Sequence, residues 1–181
     1  MKKVLMLSLS ILFLASCTKD DSMTFEKNRV GKLHGRMTVE QVRHALQDKK
    51  LSELKKVSGI VNQNQMEVSD EEGKQELILI FQPENDTLKL YAVEIISPEF
   101  KSTLGVSKTD TFEKWKQHHK IRKAERTLRH FVVFVDDLNA TLEFTDEDLV
   151  SQAQNRTLIN PDPDWVKKDA RTKRLILFFS R

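Results

Sequence analysis

Cysteine is almost absent from this chain: Cys17 is the only one in 181 residues. Everything downstream of it therefore lacks a disulfide framework, a thiolate metal site and a cysteine nucleophile. Glycine is scarce too, with five in all, and no phosphate loop, dinucleotide fingerprint, G-x-S-x-G elbow or H-E-x-x-H helix occurs. Nor is there an apolar run of the roughly 20 residues that a membrane-crossing helix requires. Stability must come from burial rather than from staples or metal.

What the chain does have begins at its start. Met1-Lys2-Lys3 is positively charged, Val4 to Leu14 is an eleven-residue apolar run broken only by Ser8 and Ser10, and Ala15-Ser16 are small. These are the three parts of a secretory signal peptide. Leu14-Ala15-Ser16-Cys17 resembles a bacterial lipobox. The resemblance implies cleavage between Ser16 and Cys17, acyl chains on Cys17, and firm anchoring in a lipid bilayer at about 0.8 kcal/mol per buried CH₂. Lys19-Asp20-Asp21 is similar to the lysine-plus-acids export signal of Bacteroidota lipoproteins, which implies the outer membrane, with the cell surface preferred to the periplasmic face. Asp21-Ser22-Met23 and Asp86-Thr87-Leu88 resemble O-glycosylation sites of that phylum.

Removing residues 1 to 16 takes away Lys2 and Lys3 and no acid, leaving 28 bases against 27 acids. Interspersed charges near balance exclude the clustered basic face that nucleic acid requires. They equally exclude a polybasic membrane patch.

Residues 17–28 are polar and aperiodic and read as the lipidated cysteine and its tether. Thr38 with Gln41 forms a capping box, followed by the stripe Val39, Val42 and Leu46, which predicts a core-packing helix. Leu51 to Leu54 is expected to add a helical turn before the chain goes extended from Lys55. A weak strand and a hairpin loop then lead to the β-rich run Glu76 to Phe81, a turn at Pro83-Glu84-Asn85-Asp86, and an alternating strand from Thr87 to Ile96. Asp110 and Glu113 form a second box ahead of Phe112 and Trp115. Phe131 to Val135 and Asn139 to Phe144 repeat the run-and-strand pattern of Leu77 to Phe81 and Asn85 to Leu90. A third box at Thr145 and Asp148, a Pro-rich turn at Asn160 to Pro163 with Asp164 as a cap, and a closing strand Leu175 to Phe179 complete the chain.

The expected fold class is α+β: antiparallel sheet with short helices packed on one face, built as a tandem duplication of a helix-plus-β-meander unit. Its divisions are a signal peptide at 1–16, lipidated cysteine and tether at 17–28, a first α/β module at 29–98 and a second at 99–181.

Chemistry is thin. His118 and His119 are adjacent on a helix and point about 100° apart, so they cannot share an ion as an i, i+4 pair does; His34, His44 and His130 have no partner at useful spacing. Asp136-Asp137 and Asp146-Glu147-Asp148 are acid-rich but lack the glycine of a calcium loop. No metal or cofactor is expected. The aromatics Phe112, Trp115, Phe131, Phe134, Phe144, Phe178 and Phe179 read as core, and Trp165, beside prolines, as the exposed contact. A non-catalytic protein- or glycan-binding envelope lipoprotein is the reading that results. The alternatives are an immunity or inhibitor lipoprotein that neutralises a toxin or enzyme, and an envelope hydrolase using His118, Asp136 or Glu143.

Gly35-Arg36-Met37-Thr38-Val39-Glu40-Gln41-Val42-Arg43-His44-Ala45-Leu46 is similar to the opening helix of the SmpA/OmlA family, small lipoproteins of the β-barrel assembly machinery. A wider class of doubled helix-plus-sheet modules resembling β-lactamase inhibitory protein accommodates both halves. Both resemblances imply a scaffold for protein contacts rather than a reaction. The lipobox reading predicts that Cys17→Ala leaves the membrane fraction while its body still folds, as checked by cell fractionation and circular dichroism.

Overall fold

Phe25 is fully buried, although it stands near the beginning of the described part of this computed structural model, which comprises residues 21–57, 63–127, 130–154 and 160–179. Ser16, Cys17, Lys19 and Asp20 lie outside those residues, as does the rest of the expected signal peptide. A 3₁₀ turn at Asp21–Met23 enters β1 (Thr24–Glu26), followed by β2 (Arg29–Val30) and β3 (Leu33–His34), which pair in turn as antiparallel neighbours. The tether expected over 17–28 therefore overlaps the folded body from Asp21 onward. An apolar residue at alternate position 25 was enough to make a short strand where polar neighbours concealed it.

α1 (Val39–Ala45) starts at the predicted box: Thr38 Oγ1 accepts from the Gln41 N–H at 3.2 Å, and Gln41 Oε1 accepts from the Thr38 N–H at 2.8 Å. Val42 and Leu46 are buried. The turn expected at Leu51 to Leu54 does not form. Lys50–Leu51 is instead a short strand, β4, and the Ser52 N–H goes to the Glu67 carbonyl at 3.0 Å, so a strand partner takes the hydrogen bond a helix would have used.

Next come β5 (Lys55–Val57), β6 (Gln63–Ser69), β7 (Gln75–Glu84) and β8 (Thr87–Ile95). The turn between β7 and β8 is narrower than expected. Pro83 and Glu84 stay in the ladder opposite Leu88 and Thr87, and Asn85 and Asp86 alone reverse the chain at φ 46° and 60°, the left-handed pair that a two-residue hairpin demands.

β9 (Lys101–Ser102) runs parallel to β1 and closes a four-stranded sheet in the order β3-β2-β1-β9. α2 (Phe112–His118) buries Phe112 and Trp115. Its cap is Thr111, whose Oγ1 accepts from the Lys114 N–H at 3.4 Å. Asp110, expected in the box, accepts instead from the Ser107 N–H at 2.8 Å and from Lys114 Nζ at 2.9 Å, and these bonds hold its carboxyl below the usual range against the opposing effect of burial.

β10 (Ile121–Arg126), β11 (Phe131–Val135) and β12 (Ala140–Phe144) follow. Asp148 Oδ2 accepts from the Thr145 N–H and hydroxyl, both at 2.8 Å. The helix expected after it divides into a 3₁₀ turn at Asp146–Asp148 and α3 (Ser151–Gln154), because Leu149 between them bridges to Val166. Asp162 rather than Asp164 caps the turn Pro163–Trp165, accepting from the Asp164 N–H at 2.9 Å; Asp164 pairs with Lys116 at 2.8 Å. β13 (Arg174–Phe178) ends the described chain.

Among the described residues, nine strands make the large antiparallel sheet, in the order β10-β11-β12-β13-β8-β7-β6-β4 with β5 also on β6. Each half runs inward from an edge in chain order, so the last strands of the two halves, β8 and β13, meet at the centre. Asn139 to Phe144 therefore does not occupy the place of Asn85 to Leu90: counted from that junction, β12 stands where β7 does and β13 where β8 does. The hairpin before β12 also differs, having a four-residue turn in which only Asn139 has positive φ.

Helices α1, α2 and α3 contribute to one core with the four-stranded sheet and one face of the large sheet, joining Val42, Phe112, Trp115 and Ala153 to Phe25, Leu79, Leu142 and Leu177. Among the described residues no helix is long and apolar enough to cross a membrane. Because Phe25 belongs to that core, Phe25→Ala is expected to destabilise the protein by about 3–5 kcal/mol in urea titration, whereas a tether residue would change nothing.

Candidate functional site

Alternation along the strands, interrupted in β8 by a bulge, sorts the large sheet into two faces. Leu77, Leu79, Val93, Ile95, Leu142, Phe144, Leu175 and Leu177 face the helices. The second face carries a separate cluster of strand residues only, Ile80, Ala92 and Ile176 with Phe178 packed on them. Phe134 and Phe178, expected in the core, occupy this second face and are half-buried. Runs such as Phe131 to Val135 are apolar at every position, so the sequence does not reveal which parity faces inward.

A bulge gives this face its most exposed aromatic. Ile80 pairs with Ala92 and Phe81 with Leu90, which leaves Tyr91 as the extra residue and turns its ring outward. It is 38% exposed and meets Phe178 edge-on, with centroids 5.8 Å apart. Beside it opens a groove of about 610 Å³, floored by Phe134, Thr141, Ile176 and Phe178. Asp136 and Asn139 from the β11–β12 turn, with Arg122, form one end, and Glu143 lies toward the other. Asn139 is fixed there by its Nδ2 donation to the Phe178 carbonyl at 2.7 Å. Arg122 and Lys123 both lie over the Phe134 ring, at 5.6 and 4.7 Å from its centroid.

Charge on this face is organised by Arg174. Its guanidinium forks onto Glu94, Nε to Oε1 at 2.9 Å and Nη2 to Oε2 at 2.6 Å, while Nη1 reaches Glu143 at 3.3 Å. Hydrogen bonding to Glu94 pushes the arginine still further into its charged range. Burial pushes the neighbouring Lys108 ammonium down, with Glu94 opposing.

The residues singled out from sequence are scattered. Asp136 and Glu143 line the groove, each beside a cation, but His118 does not; its Nδ1 lies 2.9 Å from the Lys114 carbonyl within its own helix. Trp165 is half-buried against the core, its ring 6.1 Å from that of Phe131, so Tyr91 takes the exposed role expected of it. Among the described residues no group of three or more His, Cys, Asp or Glu side chains could hold a metal ion.

One arrangement had no signal in the sequence. His119 sits with Nδ1 2.9 Å from Asp137 Oδ2 and Nε2 2.9 Å from Ser102 Oγ, the order of partners in a Ser-His-Asp triad. Its setting is that of a clamp. Ser102 Oγ also accepts from the Val106 N–H at 3.2 Å, the His119 side chain is only 1% exposed, and its ring lies tilted by 36° against Trp115, with centroids 5.1 Å apart. A nucleophile must reach its substrate, and this hydroxyl is enclosed by its own loop. The three residues belong to β9, the end of α2 and the β11–β12 turn, which they tie together.

These features define a class: an α+β chain with one large antiparallel sheet, helices on one face and an aromatic groove on the other. No family model and no curated protein matches it. Among solved structures, the crystal structure of the uncharacterized protein yfeY from Escherichia coli is similar, with a TM-score of 0.51 and 12% identity over 87% of this chain and 99% of that one. At that identity the likeness is one of fold, and no family is assigned.

The clamp predicts that His119→Ala and Ser102→Ala each destabilise by about 1–3 kcal/mol in urea titration, and that the native protein resists labelling by a fluorophosphonate serine probe.

Proposed function

We propose that this chain is a lipid-anchored lipoprotein of the bacterial outer membrane that holds a protein partner, without catalysis, on the second face of its large sheet. The observation that carries the reading is the groove beside Tyr91, where an exposed tyrosine, two half-buried phenylalanines and Arg122 stand on rigid strands. Tyrosine, arginine and phenylalanine are the residues enriched where protein interfaces concentrate their binding energy. A glycan partner is less well served: Arg122 and Lys123 already cover the Phe134 ring, which leaves Tyr91 as a lone platform for a sugar. The sequence signals at Cys17 and Lys19-Asp20-Asp21 supply the anchor and the address.

An inhibitor or immunity protein would use the same face, and the identity of the partner separates the two. A photo-crosslinking amino acid placed at Tyr91 in intact cells is expected to capture one reproducible protein, while the same probe at His44, exposed on α1, captures none. Arg122→Glu should weaken capture at least tenfold. Equal adducts from both positions, or none from Tyr91, would overturn the reading. A secreted toxin as the captured partner would favour the immunity alternative.

A further inference from the structure

The groove opens on the second face of the large sheet, whereas the chain nearest Cys17 enters the core on the first face through Met23 and Phe25, and the connection between lipid and body is very short. Only Thr18, Lys19 and Asp20 separate Cys17 from Asp21, and four peptide units span at most about 14 Å. From Asp21 the chain is fixed. The Ser22 carbonyl is so close to Gly31, itself at φ +54°, that a Cβ there would stand 2.4 Å from the oxygen. β1 then runs between β2 and β9 inside its sheet. A body of this size is about 30–40 Å across, so an anchored bilayer could touch only the region around β1 and β9.

That region has an exposed apolar tip. The loop after β9 carries Leu104, 53% exposed and one of the few large hydrophobic side chains that face solvent. The Thr103 N–H donates to the Phe25 carbonyl at 3.2 Å, so this loop lies beside the end of β1, next to Lys27. Lys27 and Lys101 are both exposed, and neither has an ion-pair partner among the described residues. One leucine that enters the headgroup layer, flanked by two ammonium groups free to meet lipid phosphates, is the chemistry of an interfacial contact.

We propose that the body rests on the bilayer through Leu104, Lys27 and Lys101, with the second face of the large sheet turned away from the lipid. This orientation rests on the anchored reading of the preceding section. Phe25, Val30 and Leu33 join the helices in the core on the first face, so the four-stranded sheet and α1 and α2 stand between membrane and groove. The short connection works as a bracket that presents the groove outward, not as a leash.

The test uses the full chain, acylated in cells and reconstituted into phosphatidylethanolamine–phosphatidylglycerol vesicles. Acylation consumes the natural thiol, so Leu104→Cys and Tyr91→Cys each offer one site for a polarity-sensitive dye. On reconstitution the dye at 104 is expected to shift to the blue and to be quenched by lipids brominated in their acyl chains, while the dye at 91 does neither. Adding Lys27→Glu and Lys101→Glu should abolish the shift at 104 while the protein still floats with the vesicles. A floating protein whose dye at 104 stays as solvent-like as the dye at 91 overturns the orientation and leaves the anchor standing. Failure to float, with no acyl mass on Cys17, overturns both.

Discussion

The pairing of β8 with β13 is the constraint on which the rest of the structure depends. Four register pairs, from Leu175 with Ile95 to Phe178 with Ala92, join the last strand of each half and convert two separate meanders into one sheet. Neither half alone could bury both flanks of its final strand, and an unpaired central strand would expose its ladder to water or to another chain. The junction also aligns the two core faces, so that Val93 and Ile95 from one half and Leu175 and Leu177 from the other lie against the same layer of helices.

On the opposite side, the same junction is crossed by the trio of Glu94, Arg174 and Glu143. Arg174 projects from β13 between acids on the two neighbouring strands, and both carboxylates are well shielded, their side chains 8% and 13% exposed. Withdrawing such charges from water opposes much of their attraction. Their physical role is therefore better described as register than as strength: slipping β13 by one residue would send Arg174 into the apolar core and strand two acids. Apolar packing drives the halves together, and the ion trio selects how they meet.

Much of this architecture was legible in the sequence, for reasons that differ from element to element. α1 was readable because Thr38 and Gln41 satisfy each other's neighbouring backbone groups locally, and the strand of Leu175 to Phe179 because so dense an apolar run has nowhere to go but a sheet. Asp110 and Asp164 read as caps because each lies within two residues of the true one, Thr111 and Asp162, and a carboxylate can bond a loop N–H or a lysine as well as a helix start. Tyr91 could not be foreseen, since the bulge that exposes it depends on how β7 and β8 slide together. The clamp of Ser102, His119 and Asp137 was invisible because the histidine stands 17 and 18 residues from its partners, at no repeating interval. Sequence local in its hydrogen bonding reveals itself; sequence whose partners are chosen by the folded topology does not.

The edges of the large sheet have a consequence of their own. One outer edge is shared by β4, with Lys50, and β5, which opens with Lys55 and Lys56; the other is β10, which reads Ile121-Arg122-Lys123-Ala124-Glu125-Arg126. To add a strand from a second molecule, either edge would have to bring like charges into opposition and strip water from several of them at once. The charge along both edges therefore opposes the joining of copies crowded side by side into a continuous ribbon.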